Sequence, residues 1–317
     1  MIRRPPRSTP SNSSAASDVY KRQGDSILKV RRRTLFMFLL PALIIAGILY
    51  YMLIWTVLVS TMDWVGMNPV WKFAGLKNYK ELFGMHRFWV NMRNNIIWLI
   101  TFVIPTGIFG MILAFLLEIF PNFSKIVRPI YLYPLVIAPI VAGTLWAWFF
   151  DPQSGVLNSI LEYLGLARFK AGWIADPKLA IYCMVAAGIW QNLGFSLVLY
   201  TAAIREIPRD HIEAAKVDGA NMRQIFFHII VPEIGHATLI IFSLLVLYTL
   251  KVFDLVWIMT AGGPGYSTEV LPYLMYKLTF RQLLVGMGAS VAVIILIMSI
   301  VILVPLSKWI MTRWLEE

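Results

Sequence analysis

The chain reads as an all-α, polytopic membrane protein with six transmembrane helices, and three observations predict this. Apolar residues make up 59% of its 317 positions and charged residues only 14%, with a mean hydropathy of +0.70. Six apolar runs reach the roughly 20 helical residues that a bilayer core of about 30 Å requires. The longest polar stretch between strongly apolar segments, residues 206–234, separates the fourth run from the fifth.

Taken in order, residues 1–23 are rich in Pro, Ser and Arg and lack apolar periodicity, so disorder is expected. The stretch has no signal-peptide core. It resembles translated sequencing-adaptor read-through, with a genuine basic tail as the alternative, and the natural chain is expected to begin near Gly24. Residues 24–95 hold the basic flank Lys29 and Arg31–Arg33, the first span and a polar, aromatic segment. Residues 91–306 hold the remaining five spans, and 307–317 form a short tail.

The spans are expected at 35–60, 96–117, 130–150, 179–203, 237–259 and 285–306. Pro41 is expected in the first turns of its helix, where a missing N–H costs least. Pro105, Pro134 and Pro139 interrupt two spans, which neighbouring helices can tolerate. An even number of spans puts both ends on one side. Lys and Arg slightly favour the side holding the N-terminus, with the densest cluster at Lys29–Arg33, which predicts a cytoplasmic N-terminus. Trp64, Trp71, Phe73, Tyr79, Phe83, Phe88 and Trp89 then lie outside, as an interfacial belt or as contacts for an outer partner. The net charge of +11 suits cationic flanks on anionic lipid rather than nucleic acid. Cys183 stands alone, which excludes an intrachain disulfide, and the four histidines form no ligand-spaced cluster.

Residues 206–234 read as two short helices. Asp210 with Glu213, and Asn221 with Gln224, each have the spacing of a capping box. Gly219 can take the left-handed conformation that ends the first helix. Met222, Ile225, Phe226, Ile229 and Ile230 share one face of the second, which Pro232 ends or kinks. Such a unit is either a plain connector or a fixed knob offered to a soluble partner.

Glu213-Ala214-Ala215, then Gly219 six positions on, then Ile229 through Pro232, resemble the EAA loop of ATP-binding cassette import permeases. Val231 replaces the usual Leu, and His236 stands where many members carry a second Pro. The resemblance implies the type I importer permease fold. It implies coupling of this loop (204–235) to a separate ATPase through Glu213, Ala214, Ala215, Asp218, Gly219, Ala220, Ile229 and Pro232. The expected partners are a second permease subunit, two ATPase subunits and an extracytoplasmic solute-binding protein, with ATP and Mg held by the ATPase. Lys251 through Pro264, Ser267 through Leu271 and Trp190 through Pro208 are similar to the carbohydrate-uptake subgroup, which implies a sugar substrate.

Two groups of residues could line a path. Asn192, Phe195, Ser196 and Leu199 share a helical face and offer an amide, a hydroxyl and an aromatic ring, which suits a sugar or plain helix packing. Lys251 and Asp254 are ionisable residues within a span, spaced to neutralise each other on one helix; pairing, path lining and a pair with another subunit all remain open. Gly286, Ala289 and Ser290 suit close helix packing. No Walker A loop, nucleophile–base set or metal cluster appears, so no catalytic or metal-binding residue is assigned in this chain. The competing reading is a secondary transporter coupled through Lys251 and Asp254, which would need an internal repeat.

Overall fold

The computed structural model describes residues 32–314, with side chains for residues 36–308. Residues 1–23, Lys29, Arg31 and the end of the C-terminal tail lie outside the described residues. The chain divides into two units, residues 1–55 and residues 56–317. Among the described residues every long element is helical, and a single antiparallel bridge joins Met62 to Phe73.

Helix α1 spans Arg32–Ser60. It begins before its apolar run, so Pro41 sits inside the helix and not in the first turns as expected. Helix α2 is Lys77–Gly84, and α3 runs from His86 to Ile119. The polar, aromatic outer segment expected up to residue 95 is therefore partly helical. A π turn at Leu99–Val103 lies just ahead of Pro105. Proline has no N–H to give the preceding turn, and a local widening accommodates the loss.

The third predicted span is two helices, α4 (Pro121–Val136) and α5 (Pro139–Phe149), bent by 104°. Ile137 and Ala138 are extended immediately before Pro139, where proline sterics disfavour the α conformation. Pro134 stays inside α4, so only Pro139 breaks the chain. A short helix, α6 (Val156–Tyr163), follows a turn in which Asp151 Oδ1 accepts hydrogen bonds from the backbone N–H of Gln153 and Ser154.

Helix α7 (Ala180–Glu206) is the axis on which α3 and α4 pack. Lipid tails are as apolar as leucine, so close approach rather than apolar burial holds such helices together. Glycines provide that approach. A Cβ on Gly194 would lie 2.2 Å from the Tyr131 carbonyl oxygen of α4. One on Gly110 of α3 would lie 2.4 Å from Ser196 Cβ of α7.

Two short helices follow, α8 (Arg209–Val217) and α9 (Met222–Glu233), then α10 (Gly235–Leu250), with a 71° bend between α9 and α10. The fifth predicted span does not run through to residue 259. It stops at Leu250 and resumes as α11 (Asp254–Thr260). Helix α11 packs on α5, where Gly143 faces Ile258. Three left-handed residues, Ala261, Gly262 and Gly265, reverse the chain after it. Helix α12 (Leu271–Tyr276) passes into a π turn at Lys277–Arg281, and α13 covers Val285–Trp314. Gly286 backs onto the Met62 carbonyl, 2.2 Å from where a Cβ would sit, and Ser290 Oγ donates to the Ser60 carbonyl at 3.2 Å. These two small residues meet the expectation of close packing.

Candidate functional site

Three constructions stand out: a two-helix element, a cavity beside α7, and a buried ionic clasp.

The two-helix element is α8 and α9. Helix α8 starts at Arg209 directly after Pro208, so Asp210 lies in the first turn and is not the expected N-cap. A carboxylate there still faces the positive end of the helix. The second capping box forms as expected: Asn221 Oδ1 accepts from Gln224 N at 3.0 Å, and Asn221 N donates to Gln224 Oε1 at 2.8 Å. Gly219, at φ +83, turns the chain between them in open space. Helix α9 contains a π turn at Phe226–Ile230, just before Pro232. Pro232 itself is helical, and the bend follows at Ile234. Ile225, Phe226 and Ile230 are buried against the spans, Ile229 is half-buried and Met222 is exposed. The His211 ring meets the Glu233 carboxylate and ties the first helix to the end of the second.

Glu213, Ala214, Asp218 and Gly219 are exposed, and Ala215 and Ala220 are half-buried. Val217, at 86% exposed, is an apolar side chain with nothing of its own chain over it. Behind the element, a cleft of about 710 Å³ is lined by Glu118, Arg205, Arg209, Glu213, Lys216 and apolar residues of α3 and α9. Glu118 pairs with both Arg128 and Arg205 at its edge.

The cavity, about 420 Å³, lies between α4, α7, α10 and the break at residues 251–253. Asn192, Phe195, Tyr248, Lys251, Phe253 and Asp254 are among its lining residues. Asn192 Nδ2 donates to the Gly188 carbonyl at 2.9 Å, and its side chain also meets Tyr248. Lys251 ends α10 and Asp254 opens α11, so they do not share one helix face as expected, and no ion pair joins them. Both side chains are exposed. Of the four residues expected on the α7 path face, only Asn192 and Phe195 reach the cavity. Ser196 is fully buried against Gly110, and Leu199 packs on the core. The face divides because α3 packs on α7 at Gly110 and covers Ser196.

The clasp was not foreseen in the sequence. Glu269 is completely buried. Arg87 Nε and Nη2 each donate to its carboxylate at 2.6 Å, Asn91 Nδ2 at 3.0 Å, and Lys277 Nζ lies 3.0 Å away. Burial pushes this carboxyl upward, but the hydrogen bonds from Arg87, Asn91 and Lys277 prevail and hold it below the usual carboxylate range. Asn94 Nδ2 donates to the Ser267 and Glu269 carbonyls, both at 2.8 Å, and Leu271 N donates to Asn95 Oδ1 at 2.8 Å. Arg87, Asn91, Asn94 and Asn95 recur at i, i+4, i+7 and i+8. That spacing on one helix face was the available signal.

Comparison with known proteins agrees with this architecture. The family profile described as binding-protein-dependent transport system inner membrane component matches residues 82–315. The chain is similar to a probable ABC transporter permease protein of Pyrococcus horikoshii, with 41% identity over 87% of this chain and 94% of the relative. It is also similar to an alpha-glucoside transport system permease protein of Rhizobium meliloti, with 33% identity over 86% of this chain and 80% of the relative. In fold it is similar to a chain in the crystal structure of a bacterial ABC transporter involved in the import of the acidic polysaccharide alginate. The TM-score there is 0.78 at 22% identity, over 89% of this chain and 96% of that one.

Proposed function

The chain belongs to the binding-protein-dependent transport system inner membrane components, and from that premise we propose that it carries a sugar or related carbohydrate through the membrane as one half of a permease pair. It is a multi-pass permease of an ATP-binding cassette importer. The secondary-transporter reading falls with that assignment, and the separation of Lys251 from Asp254 onto two helices removes its proposed coupling pair.

The carbohydrate substrate is supported by the alpha-glucoside permease among the relatives and by the cavity chemistry. An amide, a phenol, a cation and a carboxylate offer donors and acceptors to hydroxyls, and Phe195 and Phe253 offer ring faces. The partners are a second permease, two ATPase subunits that hold ATP and Mg, and an extracytoplasmic solute-binding protein. The α8–α9 element and the N-terminus face the cytoplasm. Glu213, Ala214, Ala215, Asp218, Gly219, Ala220, Ile229 and Pro232 form the coupling surface.

The observation that carries this reading is that Glu213 and Val217 stand exposed on an element fixed by the Asn221 cap and the His211–Glu233 contact. A rigid exposed element can transmit a push, and a loose one cannot. The test is reconstitution of the complete complex with Glu213→Lys or Gly219→Val. Both should assemble in the membrane while uptake collapses, with ATPase co-purification weakened or hydrolysis no longer stimulated by loaded binding protein. Wild-type values of all three in both variants would reduce the element to a connector.

A further inference from the structure

The α10–α11 break and the Glu269 clasp lie at the two ends of one short rigid segment. Helix α11 is only Asp254–Thr260. At its head Phe253 and Asp254 form a wall of the cavity. At its tail Thr260 Oγ1 meets Thr268 Oγ1 at 2.7 Å, and Thr268 Oγ1 donates to the Gly263 carbonyl at 2.8 Å. The intervening turn is therefore a closed knot, and it leads straight into Ser267–Leu271, which Arg87, Asn91, Asn94 and Asn95 grip. Lys277 completes the grip from the π turn after α12. A carboxylate buried this deeply, with this many charge-assisted bonds, fixes the loop firmly to α3. Because these bonds pin the turn, the clasp acts together with the packing of α11 on α5 to fix α11 and the cavity wall at its head.

We propose that Glu269 is a positioning residue: through the clasp it holds α11 so that the cavity stays shut on the side opposite the α8–α9 element. Release of the clasp frees α11 to tilt about residues 251–253 and opens the cavity to that side. The proposal rests on the reading of the cavity as the transport path. Arg87 and Asn94 act with Glu269, and none of the three touches the cavity.

The test uses the full complex in proteoliposomes, with Cys183→Ala and a single reporter, Leu247→Cys, in the cavity lining. An impermeant maleimide is added on the side opposite α8–α9, with and without ATP and vanadate, in intact, Glu269→Gln and Asn94→Ala backgrounds. In the intact background, labelling should depend on nucleotide. In both clasp variants, labelling without nucleotide should rise by roughly fivefold or more, the low end of typical coupling between sites, and hydrolysis without binding protein should rise with it. A reporter insensitive to nucleotide in the intact background would overturn the path reading, and the proposal with it. A nucleotide-sensitive reporter with unchanged labelling in the assembled variants would overturn the proposal alone. Asn94→Ala removes the two hydrogen bonds to the loop and a long one from the exposed Arg93, and it strands no buried charge, so it decides the matter if Glu269→Gln fails to assemble.

Discussion

At Gly194 a single hydrogen is all the space between α7 and the α4 backbone, because the obstacle is the Tyr131 carbonyl rather than a movable side chain. Gly194→Ala should abolish stable assembly, read as loss of the purified complex. The Ser196 hydroxyl is buried with no hydrogen-bond partner among the described residues and should be expendable: Ser196→Ala leaves uptake unchanged, whereas Asn192→Leu impairs it. Leaving a substrate hydroxyl unpaired costs about 1–3 kcal/mol, roughly five- to 150-fold in affinity, and sugar uptake kinetics on the two variants check both statements. Glu269 carries a pH signature. Its folded pKa lies below the ordinary value of about 4.3, so its contribution is fully present above that pH and is lost as pH falls through the depressed value. Thermal stability of the purified complex should drop steeply below about pH 4, and Glu269→Gln should flatten that drop. At neutral pH the same variant removes the charge that Arg87 and Lys277 share, and it should lower the thermal stability of the complex.

At the scale of elements, the Asn221 cap is the simplest to test. Asn221→Ala should cost α9 about 1 kcal/mol. Faster hydrogen exchange across residues 221–225 would report that loss. The same cap shows what the sequence could tell. Asn221 and Gln224 were legible because they stand three residues apart, whereas Asp210 misled because α8 takes Pro208 as its N-cap, two residues earlier. The helix interruptions at 137–138 and 251–253 were marked in the sequence by Pro139 and by the Lys251 and Asp254 charges, but neither mark records how far the helix axis turns. The α7 path face was half legible, since a shared face says nothing of which neighbour covers it. The clasp went unread because residues 61–95 pass for a loop until the polar stripe on α3 is recognised as helical.

For the whole molecule, side-specific labelling is the decisive measurement. In a background lacking Cys183, cysteines at Lys216 and at Gln153 should react with an impermeant reagent from opposite sides, with Lys216 protected in intact cells. Gly155 is unsuitable as a reporter, because a Cβ there would lie 2.2 Å from the Asp151 carbonyl oxygen. Labelling at Lys216 but not Gln153 in intact cells would invert the assigned topology. The central place of α7 also bears on how the protein is made. Of the unbroken candidate spans, α7 is the least apolar and the most enclosed by its own chain. Its amide, hydroxyl and glycine positions suit other helices and not lipid, so the insertion machinery would hold it poorly if it arrived alone. Synthesis delivers α3, α4 and α5 first, and they can receive α7 as it emerges. On this argument α3, α4 and α5 act as the solvent into which α7 is released.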